Sequence, residues 1–168
     1  MPLEIEVIDN SAAFLAELEA KIPVALEATG LQVESRTKNN IKGAGRVDTG
    51  YYRNSITHTV QDDTVYVGSN LLYALFNELG TGKYASDGKG RKGWWVYVKG
   101  SYNVPLADSK KTVKEYSFAE AKRIMALLRS KGLDAHMTEG LRPTHALQNA
   151  ITQTANEWQR LLEAVLRT

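Results

Sequence analysis

Ile56-Thr57-His58-Thr59-Val60-Gln61-Asp62-Asp63-Thr64-Val65-Tyr66-Val67 places two β-branched runs on either side of an acidic turn. Ile56, His58 and Val60 alternate with Thr57 and Thr59, the period of two that turns one face of a strand toward a core. Gln61-Asp62-Asp63 supplies turn-forming side chains, so the stretch predicts a β-hairpin. Upstream the period changes. Asn10 or Ser11 can cap a helix whose apolar positions Phe14, Leu15, Leu18 and Ile22 follow helical spacing. We read helix from about Ser11 to Ile41, interrupted near Pro23 and ended by Lys42-Gly43-Ala44-Gly45. A loop through Asp48-Thr49-Gly50 then leads to the hairpin. Nearer the amino terminus, Leu3, Ile5 and Val7 alternate with Glu4 and Glu6 and predict a short first strand.

Downstream, Leu71, Leu72, Leu75, Phe76 and Leu79 form the apolar face of a short helix closed by Gly80 and Gly82. Residues 82–93 hold little that is apolar and predict an exposed basic loop or mobile arm. Trp94 to Val98 has strand composition, and a further strand is expected within Thr112 to Tyr116. Ser117-Phe118-Ala119-Glu120 is a capping box ahead of a helix stopped by Gly132, and Leu133 to Met137 reads as another strand. Residues 112–138 thus form a strand-helix-strand elaboration. A long last helix starts near Pro143 or Thr144 and carries Leu147, Ile151, Thr154, Trp158, Leu161, Leu162 and Val165 on one stripe, with Trp158 in the core. The expected class is α+β: an antiparallel or mixed β-sheet packed by an N-terminal helical segment and a long C-terminal helix, all in a single domain, 1–168.

Composition narrows the choices. Apolar residues make up 43% and charged residues 24% of 168, ordinary globular usage. No apolar run reaches the ~18 residues of a membrane span, and the acidic start differs from a basic signal region. Cysteine is absent, which excludes disulfides, thiolate metal sites and thiol nucleophiles. A net charge of +2 is too small to imply nucleic-acid binding through charge alone. Between Lys83 and Lys92, however, Lys83, Lys89, Arg91 and Lys92 stand against Asp87 alone.

Val47-Asp48-Thr49-Gly50 followed by Tyr51-Tyr52-Arg53-Asn54-Ser55-Ile56, then Val67-Gly68-Ser69-Asn70 leading into Tyr73-Ala74, sit in a characteristic order. Glu78-Leu79-Gly80-Thr81-Gly82 and Arg142-Pro143 through Ala150 continue it. Together they resemble the tailed-bacteriophage family of tail-completion, head-to-tail joining or minor tail proteins, over most of the chain. The stretch around 112–138 departs from shorter members. The resemblance implies helices packed on a sheet, a hexameric or dodecameric ring, and a place in the virion neck or tail after assembly in the host cytoplasm. Partners would be head-completion or connector proteins and tail-tube or tail-terminator proteins. It implies no membrane, cofactor or reaction.

Other motifs have plainer readings. Asp48-Thr49-Gly50 matches the tripeptide of aspartic proteases, but a turn explains it and no second carboxylate is evident. His58, His136 and His145 have no metal-ligand spacing. Gly88-Lys89-Gly90-Arg91-Lys92-Gly93 lacks the order of a phosphate-binding loop. Lys83, Lys89, Arg91 and Lys92 could face DNA in a ring lumen or an acidic neighbouring subunit. Trp94 and Trp95 point to opposite faces of a strand, placing one at an interface or under an adjacent helix. Arg53, Glu78 and Arg142 are candidate polar assembly positions in the family-like motifs. The rival expectation is a small nucleic-acid-binding or DNA-processing domain using the basic loop and Trp94.

Overall fold

The computed structural model describes residues 9–100 and 114–167. The expected first strand and residues Thr112 and Val113 lie outside them. The fold is α+β, and among the described residues it has two separate two-stranded antiparallel sheets. Two compact units divide the chain: Leu72–His145, and the segments flanking it on either side.

The flanking unit is built on helix α1, Ser11–Gly43, which at 1.5 Å per residue runs about 50 Å. The expected interruption at Pro23 is absent. Proline removes one donor, and Glu19, whose carbonyl would receive it, lies on an exposed turn where water can substitute. Ala25, Gly30, Val33, Thr37 and Ile41 are the buried positions, a stripe that begins near the middle of the helix and runs to its carboxyl end. Phe14, Leu15 and Val24, nearer the amino end, are exposed. Thr37 donates its hydroxyl to the Val33 carbonyl at 2.7 Å, so its burial leaves no unpaired group.

After the expected loop through Asp48-Thr49-Gly50, Gly50 in the left-handed conformation opens a short helix α2, Tyr51–Asn54. The hairpin follows as β1, Ile56–Gln61, and β2, Thr64–Ser69, in register Val60↔Val65 and His58↔Val67. Asp62 and Asp63 both have positive φ, 48° and 56°, the two-residue turn whose twist matches that of the strands. The face bearing Ile56, His58, Val60, Val65 and Val67 packs toward α1, while Thr57, Thr59 and Tyr66 face outward.

The single long last helix is corrected to two, α5 over Ala146–Ala155 and α6 over Trp158–Leu166. At the break, Glu157 takes a charge-paired hydrogen bond from Arg36 of α1 at 2.5 Å and one from Gln32 at 3.3 Å. Helix periodicity carries no signal for this long-range contact. Ala146, Ala150 and Thr154 bury one face of α5 against α1. Trp158, expected in the core, is 39% exposed.

In the other unit, α3 spans Leu72–Leu79. Strand β3, Trp95–Val98, pairs antiparallel with β4, Ala135–Thr138. Helix α4, Phe118–Ser130, lies against both through buried Ala121 and Ala135. Its capping box forms as expected, with Ser117 and Glu120 satisfying each other's backbone donors. The expected strand at 112–116 contributes, among the described residues, one bridge between Tyr116 and Trp94.

The hairpin is fastened to α1 by His58. Its Nδ1 lies 2.6 Å from Glu34 and its Nε2 3.1 Å from Glu27, while its backbone N–H donates to Glu34 at 3.1 Å. Carboxylates only accept, so both contacts are satisfied only by the doubly protonated ring. The hydrogen bond to Glu34 raises the His58 pKa, against the opposing effect of burial, with Glu27 adding to the rise. Burial opposes ionisation of Glu34, yet hydrogen bonds from Lys38 and His58 hold it below the usual carboxylate value. A raised imidazole pKa stabilises the fold fully below the unfolded value of about 6.5, and that contribution is lost as pH rises through the higher folded value. Urea denaturation of the full chain should therefore show stability falling from about pH 6.5 upward. His58→Gln should be less stable by about 1–3 kcal/mol at pH 6 and should lose the pH dependence in that window.

Candidate functional site

Two of the motifs, Glu78–Gly82 and Arg142-Pro143, meet in the Leu72–His145 unit although Thr81 and Leu141 stand 60 residues apart. Asn77, near the end of α3, accepts through its carbonyl from the Thr144 amide at 2.8 Å, and the Glu78 carbonyl accepts from the His145 amide at 3.3 Å. Thr81 donates its amide to the Leu141 carbonyl at 2.8 Å, and its hydroxyl receives the Leu141 amide at 3.0 Å. Gly80 has φ +75°, and a Cβ there would lie 2.6 Å from the Tyr84 carbonyl oxygen and 2.8 Å from Pro143. The glycine-threonine-glycine turn and the arginine-proline motif are therefore two sides of one clasp.

Glu139 anchors its centre. Its carboxylate accepts from the Tyr84 hydroxyl and from Lys83 Nζ at 3.2 Å, while its carbonyl takes the Lys83 amide at 2.9 Å. The Tyr84 hydrogen bond lowers the Glu139 pKa, burial opposes this, and Lys83 and Arg142 reinforce it. Arg142 lies over the Tyr84 ring at 4.7 Å and Arg91 over the Trp95 ring at 5.3 Å.

The basic segment, expected as a mobile arm or an exposed loop, is an exposed loop that folds back on its own unit. A 3-10 turn, Gly82–Tyr84, starts it, and Gly82 is buried against the Trp95 ring. At Gly90 a Cβ would fall 2.0 Å from the Gly82 carbonyl oxygen, so the loop returns onto its own start. Asp87 accepts the Lys89 amide at 3.0 Å, and Lys92 Nζ donates to the Gly88 carbonyl at 2.9 Å. Ser86 gives both its amide and its hydroxyl to the Leu79 carbonyl, closing the end of α3. Glycine supplies here the close approach that apolar side chains supply elsewhere, which hydropathy does not register.

Lys83, Lys89 and Lys92 remain exposed, and Arg91 is half-buried. Beside them runs a groove of about 530 Å³ lined by Leu75, Phe76 and Leu79 of α3 and by Ala85, Asp87 and Lys89 of the loop. Helix α3 has no buried residue: Leu72 is 67%, Leu75 58% and Phe76 44% exposed.

The structure thus brings Lys83, Lys89, Arg91, Lys92, Glu78 and Arg142 into one unit. Trp94 is there too, but it stands edge-on to Phe118 of α4 at 5.2 Å, the covering-helix reading of the tryptophan pair. Arg53 belongs to the other unit, on α2, with its Nε buried and without a hydrogen-bond partner among the described residues. Tyr84 and Glu139 were not singled out from sequence. Among the described residues no group of three or more histidine, aspartate or glutamate side chains is placed to hold a metal ion. Comparison with family models, curated proteins and solved structures finds no match to this chain.

Two glycines separate the clasp from ordinary loop strain. Gly88 has φ +69° with open space around it, so Gly88→Ala should cost about 1–2 kcal/mol. At Gly140, φ +135°, a Cβ would lie 2.1 Å from the Thr81 carbonyl oxygen, so Gly140→Ala should cost more, roughly 3–5 kcal/mol. Thermal unfolding of both variants followed by tryptophan fluorescence reads the difference.

Proposed function

We propose that this chain is a non-enzymatic structural protein of a tailed bacteriophage or prophage. It works as one copy in a closed ring at the head-tail junction or tail end, between head-completion or connector proteins and tail-tube or terminator proteins. The observation that carries the reading is α3, a helix of mostly apolar residues that buries none of them. Covering Leu75, Phe76 and Leu79, which are about half exposed, with a neighbour would contribute on the order of 1 kcal/mol per side chain, and a ring repeats that contact at every subunit. The motif order at 47–82 and 142–150 supports the same reading, and the clasp joins two of those motifs, at 78–82 and 142–143. Lys83, Lys89, Arg91, Lys92, Trp94, Glu78 and Arg142 serve to shape and charge this surface, and Arg53 supports the turn before the hairpin.

A nucleic-acid-binding domain is the second reading, favoured by the exposed Lys83, Lys89 and Lys92. Phosphate contact is open to these lysines, but base stacking is less so. Arg91 covers Trp95, Arg142 covers Tyr84, and Phe118 meets Trp94.

Native mass spectrometry of the chain, alone and with necks or virions that lack it, separates the two. Ring-sized species or stoichiometric uptake is expected. Phe76→Glu should reduce assembly at least tenfold with an unchanged circular dichroism spectrum, since about 1.4 kcal/mol of lost association suffices for that factor. A monomer that ignores those particles but binds DNA with a steep salt dependence overturns the ring reading.

A further inference from the structure

We infer that the partner of the α3 groove is a second copy of this chain, which inserts its β1–β2 hairpin tip; this rests on the ring reading proposed above. The tip carries Asp62 and Asp63, both exposed, and no lysine or arginine occurs anywhere between Asn54 and Gly82. Lys83, Lys89, Arg91 and Lys92 follow directly, with Asp87 among them; Glu139 pairs with Lys83, so the exposed cations of the rim are chiefly Lys89 and Lys92. Each copy therefore presents an anionic finger on one unit and a cationic rim on the other. Such a pair of unlike patches makes a head-to-tail contact, which closes into a ring if the rotation between copies permits.

Apolar chemistry matches as well as charge. Tyr66 is 56% exposed on the outward face of β2, three residues beyond Asp63. At strand spacing that offset is about 10 Å. Helix α3, with eight residues, is about 12 Å long. With the aspartates at the lysine rim, Tyr66 reaches the part of the groove walled by Leu75 and Phe76. The tip needs no refolding to dock, because its two-residue turn is already formed and Gln61 pairs with Thr64. Lys89 is held beside the groove by the loop's own turn at Asp87. Electrostatic matching of this kind sets register and partner choice and weakens with salt.

Because the chain has no cysteine, introduced thiols report unambiguously. Thr64→Cys and Ser86→Cys chains, mixed under mild oxidant at a concentration where the native mass shows oligomer, or on neck particles that have taken up the protein, should form a covalent dimer. Thr64→Cys mixed with Ser130→Cys should not. Asp62→Lys with Asp63→Lys should lower association at least about tenfold, as should Lys89→Glu with Lys92→Glu, and mixing the two variants should restore it. Oligomers of unchanged mass that neither cross-link at 64 and 86 nor respond to charge reversal overturn the hairpin-groove contact and leave the ring standing. A chain that stays monomeric at every concentration, and on the particles, overturns both. A chain that forms no oligomer and no cross-link but binds DNA, with that binding lost in Lys89→Glu with Lys92→Glu, assigns the rim to nucleic acid and overturns the inference.

Discussion

Helix α1 can approach the hairpin closely because residue 30 has no side chain: a Cβ there would lie 2.4 Å from the His58 ring. That approach brings the imidazole between Glu27 and Glu34, one turn to either side on the same helix face, and the hairpin is held by charge as well as by Ile56 and Val67. The remainder of the flanking unit is arranged along the same buried stripe. Val33, Thr37 and Ile41 continue it, and the small residues of α5 close on it.

The second unit solves the same problem with less apolar material. Ala121 and Ala135 are fully buried between α4 and the β3–β4 sheet. Gly80, Gly82, Gly90 and Gly140 let backbone meet backbone or ring in the clasp. A unit held by close backbone approach and by hydrogen bonds around Glu139 has few large side chains to spare for its interior. Its leucines and phenylalanine on α3 stay exposed, an apolar patch of the kind that marks interaction surfaces. The ring reading and the hairpin-groove contact both grow from that imbalance between a sparse interior and an apolar exterior.

Much of the secondary structure was legible in the residues. The alternation at Ile56, His58 and Val60, the apolar spacing of α3, the capping box at Ser117 and the stops at Gly43 and Gly132 each use interactions between near neighbours in the chain. The misreadings share the opposite character. The helix break at Glu157 depends on Arg36 and Gln32 more than a hundred residues away. The continuity of α1 through Pro23 depends on the exposure of the turn before it. The contacts that hold the exposed basic loop run through glycine backbone, which polar composition does not register.

By itself, then, the sequence determined the α+β class, the hairpin with its acidic turn, the separate acidic and basic stretches, and the motifs at 78–82 and 142–143 as places of note. Those follow from period, propensity and charge, all local quantities. Tertiary structure alone decided that the two motifs clasp each other, that His58 is shared by two carboxylates, that the described strands form two separate sheets, and that α3 keeps its apolar face uncovered. Each of these is a matter of which distant groups meet, and which surface is left over when they have met. No local periodicity encodes that remainder.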